Sequence, residues 1–166
     1  MLEEYYDANY FTVKTTDFNA EKEEAFWNKL YKNEYNTLKP VICLNILNDK
    51  NEVATIRLPH GYFLPGGGLE GTESKEACLR RECLEELGWE IEINQFVCKA
   101  SNYYYSMYRD LYLHAIGHFY LATYLEQVAQ PIEHDHELVW MSLEDCLSQL
   151  HLDHQAWAIK QVTHLL

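Results

Sequence analysis

A chain of 166 residues has room for one compact domain and little for a second independent core. Its 48% hydrophobic and 23% charged residues lie in the globular range and argue against a disordered chain. A formal net charge of −13, with the 13 Lys and Arg scattered along the chain, argues against nucleic-acid polymers and anionic membranes as partners. Small phosphorylated molecules stay open, because a bound divalent cation reverses the local sign.

Taken from the N-terminus, MLEEYYDANY is acidic and has no apolar core, so it does not read as a signal peptide. No run approaches the ~20 apolar residues that span a bilayer, and the cytoplasm is the expected compartment. NYFTVKT (9–15) reads as a short strand. Residues 19–33 read as a helix, capped by Asn19 and with Phe26, Leu30 and Tyr31 on one side. Lys39-Pro40 breaks the chain before PVICLNIL, a β-branched apolar run, and NDKNE turns it into a second strand, VATIRL. HGYFLPGGGLEGTE is a glycine-rich loop entering a helix near residue 73, which Gly88 ends in the left-handed position after the last turn. EIEINQFVCKAS reads as strand and turn, and YYYSMYRDLYLHAIGHFYLATYL as two aromatic strands with an irregular join. Residues 131–136 form a polar loop, ELVWMSL a strand, and the chain from about Leu143 is helical. Strand pairs predominate over βαβ alternation, which gives an α+β class. The five cysteines lack CxxC spacing and an even count, so they are expected as buried, reduced thiols.

The chemistry concentrates in GGLEGTESKEACLRRECLEELGW, from Gly67 to Trp89. Glu82, Glu85 and Glu86 stand at i, i+3 and i+4, so they project from one helical face, where like charges repel. They also occupy the end of the helix, where the macrodipole disfavours anions. Two local rules broken at one place point to a function. Clustered oxygen donors on a rigid helix suit a hard cation such as Mg²⁺, although the carboxylates taken alone also fit a solvated acidic surface. Just upstream, Pro65 and three glycines offer backbone without side-chain bulk, able to approach a metal or a phosphate.

The same segment resembles the Nudix box, G-x5-E-x7-R-E-U-x-E-E-x-G-U, in which U is a bulky apolar residue. Gly67, Glu73, Arg81, Glu82, Glu85, Glu86 and Gly88 fall in register, with Cys83 and Trp89 in the two U positions. The resemblance implies an α/β/α sandwich with a mixed sheet, formed by a single domain onto which residues 1–39 pack as a strand-and-helix extension. It further implies that Glu82, Glu85 and Glu86, with the Gly67 carbonyl, hold Mg²⁺ or Mn²⁺, and that Glu73 and Arg81 pair to support the site. Ala77, Leu84 and Leu87 are expected to face the core. The implied reaction is hydrolysis of a phosphoanhydride in a nucleoside diphosphate linked to another group: a nucleoside triphosphate, a dinucleoside polyphosphate or a nucleotide sugar. Glu86, or a residue of the later EHDHE loop, would accept the proton of water. In that loop Glu137 is favoured over Glu133, Asp135 and His136.

For the substrate, Arg57 ends the strand before the box, where relatives often carry a basic residue, and is a candidate phosphate contact. Tyr103 and Tyr105 share a strand face and are candidates to stack on a base. A tyrosine at the distance of Tyr105 beyond the box resembles the enzymes that act on dinucleoside polyphosphates. His114 and His118, four apart on a strand, do not converge on a metal. The competing expectation is a non-catalytic nucleotide-sensing module on the same fold, which would be expected to have lost a metal carboxylate. Homodimer formation is left open.

Overall fold

The computed structural model describes residues 20–106 and 109–166. The strand expected over 9–15 and the Asn19 cap lie outside these residues. The described chain runs α1 (Ala20–Tyr31), β1 (Asn36–Thr37), β2 (Val41–Leu47), β3 (Glu52–Leu58), β4 (Gly61–Phe63), β5 (Gly66–Gly68) and α2 (Lys75–Leu87). It continues with β6 (Trp89–Ser106), β7 (Leu111–Gln127), β8 (Glu137–Ser142), α3 (Leu143–Gln149) and α4 (Asp153–Thr163).

The strands form one eight-stranded mixed sheet. β2 lies parallel to β7 along its whole length, from Val41↔Gly117 to Leu47↔Thr123. Its other edge is shared, with β5 opposite Val41–Cys43 and β3 meeting it at Leu47↔Val53. β3 carries β4 on one side and β8 on the other, and β6 runs antiparallel to β7.

Alternation along β2 sorts its side chains into two layers. Ile42, Leu44 and Ile46 pack with Cys78, Leu79, Cys83 and Leu87 of α2. Cys43 faces the opposite layer, with Phe119 of β7 and Ala158, Ile159 and Val162 of α4. Helices on both faces of a mixed sheet make the α/β/α sandwich. Each fully buried Ile or Leu of this kind contributes about 1.5–3 kcal/mol. All five cysteines are buried free thiols, filling core positions as small apolar groups. Among the described residues no helix is long and apolar enough to cross a membrane.

The structure departs from the sequence reading at several points. The glycine-rich stretch is not all loop, since β5 forms within it against β2. Gly66 makes this pairing possible: a Cβ there would lie 2.1 Å from the Ile42 carbonyl oxygen. Tyr103–Tyr105 belong to the end of β6, a single 18-residue strand, rather than opening a new one. On α2, Ala77 is exposed and Leu84 is 40% exposed, whereas Leu87 is buried as expected. Cys78, Leu79 and Cys83 supply the remaining core contacts, because the buried stripe runs 78-79-83-86-87 and Leu84 falls one step outside it. On α1, Tyr31 is exposed rather than on the packed side.

Candidate active site and metal centre

α2 starts where its sequence provides a cap. The Ser74 hydroxyl accepts from Ala77 N at 3.1 Å, satisfying one of the free N–H groups of the first turn. It stops at Gly88, whose φ of 71° is left-handed and whose N–H donates to Leu84 O at 2.9 Å. No side chain fits at Gly88, since a Cβ would lie 2.1 Å from the Ala129 carbonyl oxygen. This close packing brings the segment after β7 onto the end of α2. Val128 N and Ala129 N donate to Gly88 O at 2.9 and 3.1 Å, and Ile132 N donates to Glu85 O at 2.8 Å.

Between these ends the acidic face of α2 lies along β5. Arg81 sits at its centre and divides its donors. Its Nε and Nη2 hold Glu73 at 3.1 and 2.7 Å, Nη1 reaches Glu82 at 2.7 Å, and Nη2 also donates to Gly68 O at 3.1 Å. Glu85 is 3.4 Å from Nη1. The guanidinium thus ties the glycine strand, the preceding turn and the helix together, and it holds Glu73 down to about 2. Gly67 is pressed against Glu82, with no room for a Cβ beside that carboxylate. Burial raises the carboxyl of Glu82, and Arg81 opposes the rise.

Glu86 is the most enclosed of the three carboxylates, only 6% exposed. Gly66 N donates to its Oε1 at 2.8 Å, and His136 Nδ1 lies 3.0 Å from Oε2. Burial pushes Glu86 up to about 8 against the pull of the Gly66 N–H, and Glu82, Glu133 and Glu85 raise it further. A buried carboxylate among like charges favours a neutralising cation. The donors are all hard: carboxylate oxygens beside a strand of glycine carbonyls, with Glu82 already against Gly67. This set fits Mg²⁺ or Mn²⁺, which take oxygen ligands and one or two carboxylates readily.

The remaining candidates divide. Arg57 and Glu137 meet directly, as cross-strand neighbours of β3 and β8, in an ion pair on an exposed edge. It is His136, not Glu137, that touches Glu86. Glu133, Asp135 and His136 have ligand atoms within 4.8 Å of one another, a grouping that sequence spacing alone did not single out. The only signal for it was the density of EHDHE.

Tyr103 and Tyr105 do share a face, but they belong to a different neighbourhood. Tyr103 stacks on His114 at 4.0 Å with the rings parallel, and Tyr35 meets it edge-on. Tyr105 is 8% exposed, tilts against Tyr112 and donates its hydroxyl to Asp110. Tyr112 lies six residues along β7 from His118, whose row crosses β2 at Ile42 to reach Gly67. At ~3.3 Å per residue, Tyr105 stands about 20 Å along the sheet from the glycine strand. His114 and His118 sit on β7 opposite Tyr103 and Lys99 and do not converge.

A glycine strand against the central strand, followed by a capped helix with paired arginine and clustered glutamates, in an α/β/α sandwich, defines a hydrolase of phosphorus-containing anhydrides. The chain belongs to the Nudix family: the NUDIX domain model matches residues 37–165. No curated protein matches the sequence. Among solved structures, it is similar to a NUDIX hydrolase from Nitrosomonas europaea, with a TM-score of 0.62 and 14% identity over 76% of this chain and 88% of that one. It is also similar to a UDP-X diphosphatase, with a TM-score of 0.57 and 16% identity over 90% and 74%. The Escherichia coli ORF135 protein has a TM-score of 0.56 and 22% identity over 80% and 93%. At these identities the three structures support the fold alone.

Proposed function

We propose that the chain is a divalent-cation-dependent hydrolase that cuts a phosphoanhydride in a nucleoside diphosphate linked to another group. The observation that carries this reading is the enclosed Glu86 carboxylate, fixed by Gly66 N–H and surrounded by Glu82, Glu85 and Glu133. Glu82, Glu85, Glu86 and the Gly67 carbonyl are the residues that would hold Mg²⁺ or Mn²⁺. When bound, the cation supplies charge neutralisation of the diphosphate and a more acidic water.

The chain's own groups account for the rest. Arg81 and Glu73 keep the glycine strand seated on α2, so the backbone carbonyls and carboxylates are positioned before substrate arrives. Glu86, inside the cluster, is assigned the proton of the attacking water. Glu137 is the weaker candidate, because it holds Arg57 on an open strand edge. Arg57 is assigned a phosphate oxygen, which would take the place of Glu137 on its guanidinium fork. Tyr105 is left out of this assignment by its burial and its distance along the sheet, while Tyr103, two residues nearer the glycine strand, keeps its candidate role of stacking on a base.

A panel of nucleoside triphosphates, dinucleoside polyphosphates, nucleotide sugars and ADP-ribose, assayed with Mg²⁺ and with excess chelator, tests the reading. Turnover of at least one member, abolished by chelator, is expected. Full activity in chelator overturns the metal assignment. Tight nucleotide binding with no turnover of any member would instead make the chain a sensing module on the same fold.

A further inference from the structure

We infer that His136 is a positioning residue for the metal centre, locking the orientation of Glu86 from the side opposite the glycine strand. The inference rests on the metal-dependent reading above and adds to it a residue from outside the box. Glu86 is gripped at both oxygens: Gly66 N donates to Oε1 at 2.8 Å, and His136 Nδ1 is 3.0 Å from Oε2. As a metal ligand Glu86 is ionised and only accepts hydrogen bonds, so in that state the imidazole donates to Oε2 from Nδ1. A ligand carboxylate held at each oxygen by a separate donor cannot swing away from its metal-facing position, which is what outer partners of a metal site do.

The backbone that carries His136 is itself anchored to α2. Ile132 N and Glu133 N both donate to Glu85 O, at 2.8 and 3.3 Å, and His136 N closes a turn onto Glu133 O at 3.2 Å. Earlier in the same segment, Val128 and Ala129 bond to Gly88 O. The segment 128–136 therefore moves with the end of the acidic helix, and it delivers the imidazole to a carboxylate 50 residues away in sequence. Glu137, the next residue, turns outward to Arg57. The loop thereby sends its histidine to the site and its following carboxylate to the strand edge.

The test compares the full chain with His136→Asn, His136→Gln and His136→Leu, measuring Mn²⁺ affinity by electron paramagnetic resonance, turnover and thermal unfolding. The Asn amide can place an N–H near Nδ1, whereas the longer Gln amide places it near Nε2. We expect His136→Asn to keep Mn²⁺ affinity within about threefold, and Gln and Leu to weaken it by about 10–100-fold, the range for outer partners of metal ligands. Unfolding midpoints should stay close to that of the unsubstituted chain, and kcat should recover in Gln and Leu at saturating Mn²⁺. Unchanged affinity in His136→Leu overturns the inference. So does a loss in His136→Asn as large as in Leu, which would mark the ring as a direct ligand. Mn²⁺ binding that depends on His136 without hydrolysis of any substrate overturns the hydrolase reading alone, and absence of Mn²⁺ binding by the unsubstituted chain overturns both.

Discussion

The acidic face of α2 and the aromatic end of the β6–β7 ribbon are built on opposite principles. On α2 the contacts are ionic, and several of them are local: Arg81 meets Glu73, Glu82 and Glu85 within eight residues of itself. At the ribbon end they are aromatic and cross-strand, with Tyr103 on His114, Tyr105 on Tyr112, and Tyr35 reaching Tyr103 and Tyr112 from before β1. The first region holds like charges close at some cost to the helix, the second fills space. Charge clustering marks α2 as the candidate chemical region, even though the three tyrosines are the more conspicuous feature of the sequence.

The largest effect expected from breaking this contrast is at Tyr105. Because its ring is enclosed, Tyr105→Ala should destabilise the fold by about 3–5 kcal/mol, as removal of a buried aromatic does, with KM unchanged. A denaturant melt beside steady-state kinetics decides it: an intact melt with KM raised about tenfold would make the ribbon end a substrate surface and erase the distinction.

Glu86→Gln should do the reverse. It keeps the shape and one acceptor oxygen, replaces the other oxygen by an NH2 donor and removes the charge, so kcat should fall by ~10²-fold or more. Stability should hold or rise, since burial and its acidic neighbours already disfavour the ionised form. Loss of folding with residual kcat preserved in the folded fraction would make the carboxylate structural.

Between these extremes lies the Glu73–Arg81 pair. Glu73→Gln and Arg81→Ala should each lower the denaturant midpoint and weaken metal binding, and the double variant should be scarcely worse than either. Fully additive effects would show that the fork seen between them carries no coupling.

The smallest effect is one of pH. Arg81 holds Glu73 down to about 2, below its unfolded value, so the native state binds fewer protons there than the unfolded chain. Stability from this contact is present above about 4.5 and is lost as pH falls from there towards 2. Glu73→Gln should flatten that part of the acid-unfolding curve; an unchanged curve would assign the acid sensitivity to other groups.

How much of this was legible in the sequence depends on where the partners lie. Glu82, Glu85 and Glu86 had to share a face, and a helix entered near residue 73 had to end at Gly88, because helical periodicity and capping act over three or four residues. The Glu73–Arg81 pair was legible through the box spacing. Even so, the expected inward positions of Ala77 and Leu84 are exposed, while Cys78 and Cys83 beside them are buried, since period alone locates a stripe to within about one residue. The tyrosines were harder. β6 carries an extra residue between Ile93 and Gln95 and another between Phe96 and Cys98, and each one flips the face of the residues beyond it. Val97 and Cys98, adjacent in sequence, accordingly enter the same core.

The sequence by itself determined the acidic helix, its two ends, the glycine approach to it and the Nudix family, because all of these are written in short, fixed spacings. Only the tertiary structure decided that His136 rather than Glu137 meets Glu86, that Glu137 goes to Arg57, and that Tyr105 is enclosed about 20 Å along the sheet from the glycines. Those outcomes depend on which strands pair, in what register, and where a 50-residue return of the chain lands. No local period encodes such a closure; it is set by the packing of the whole sandwich.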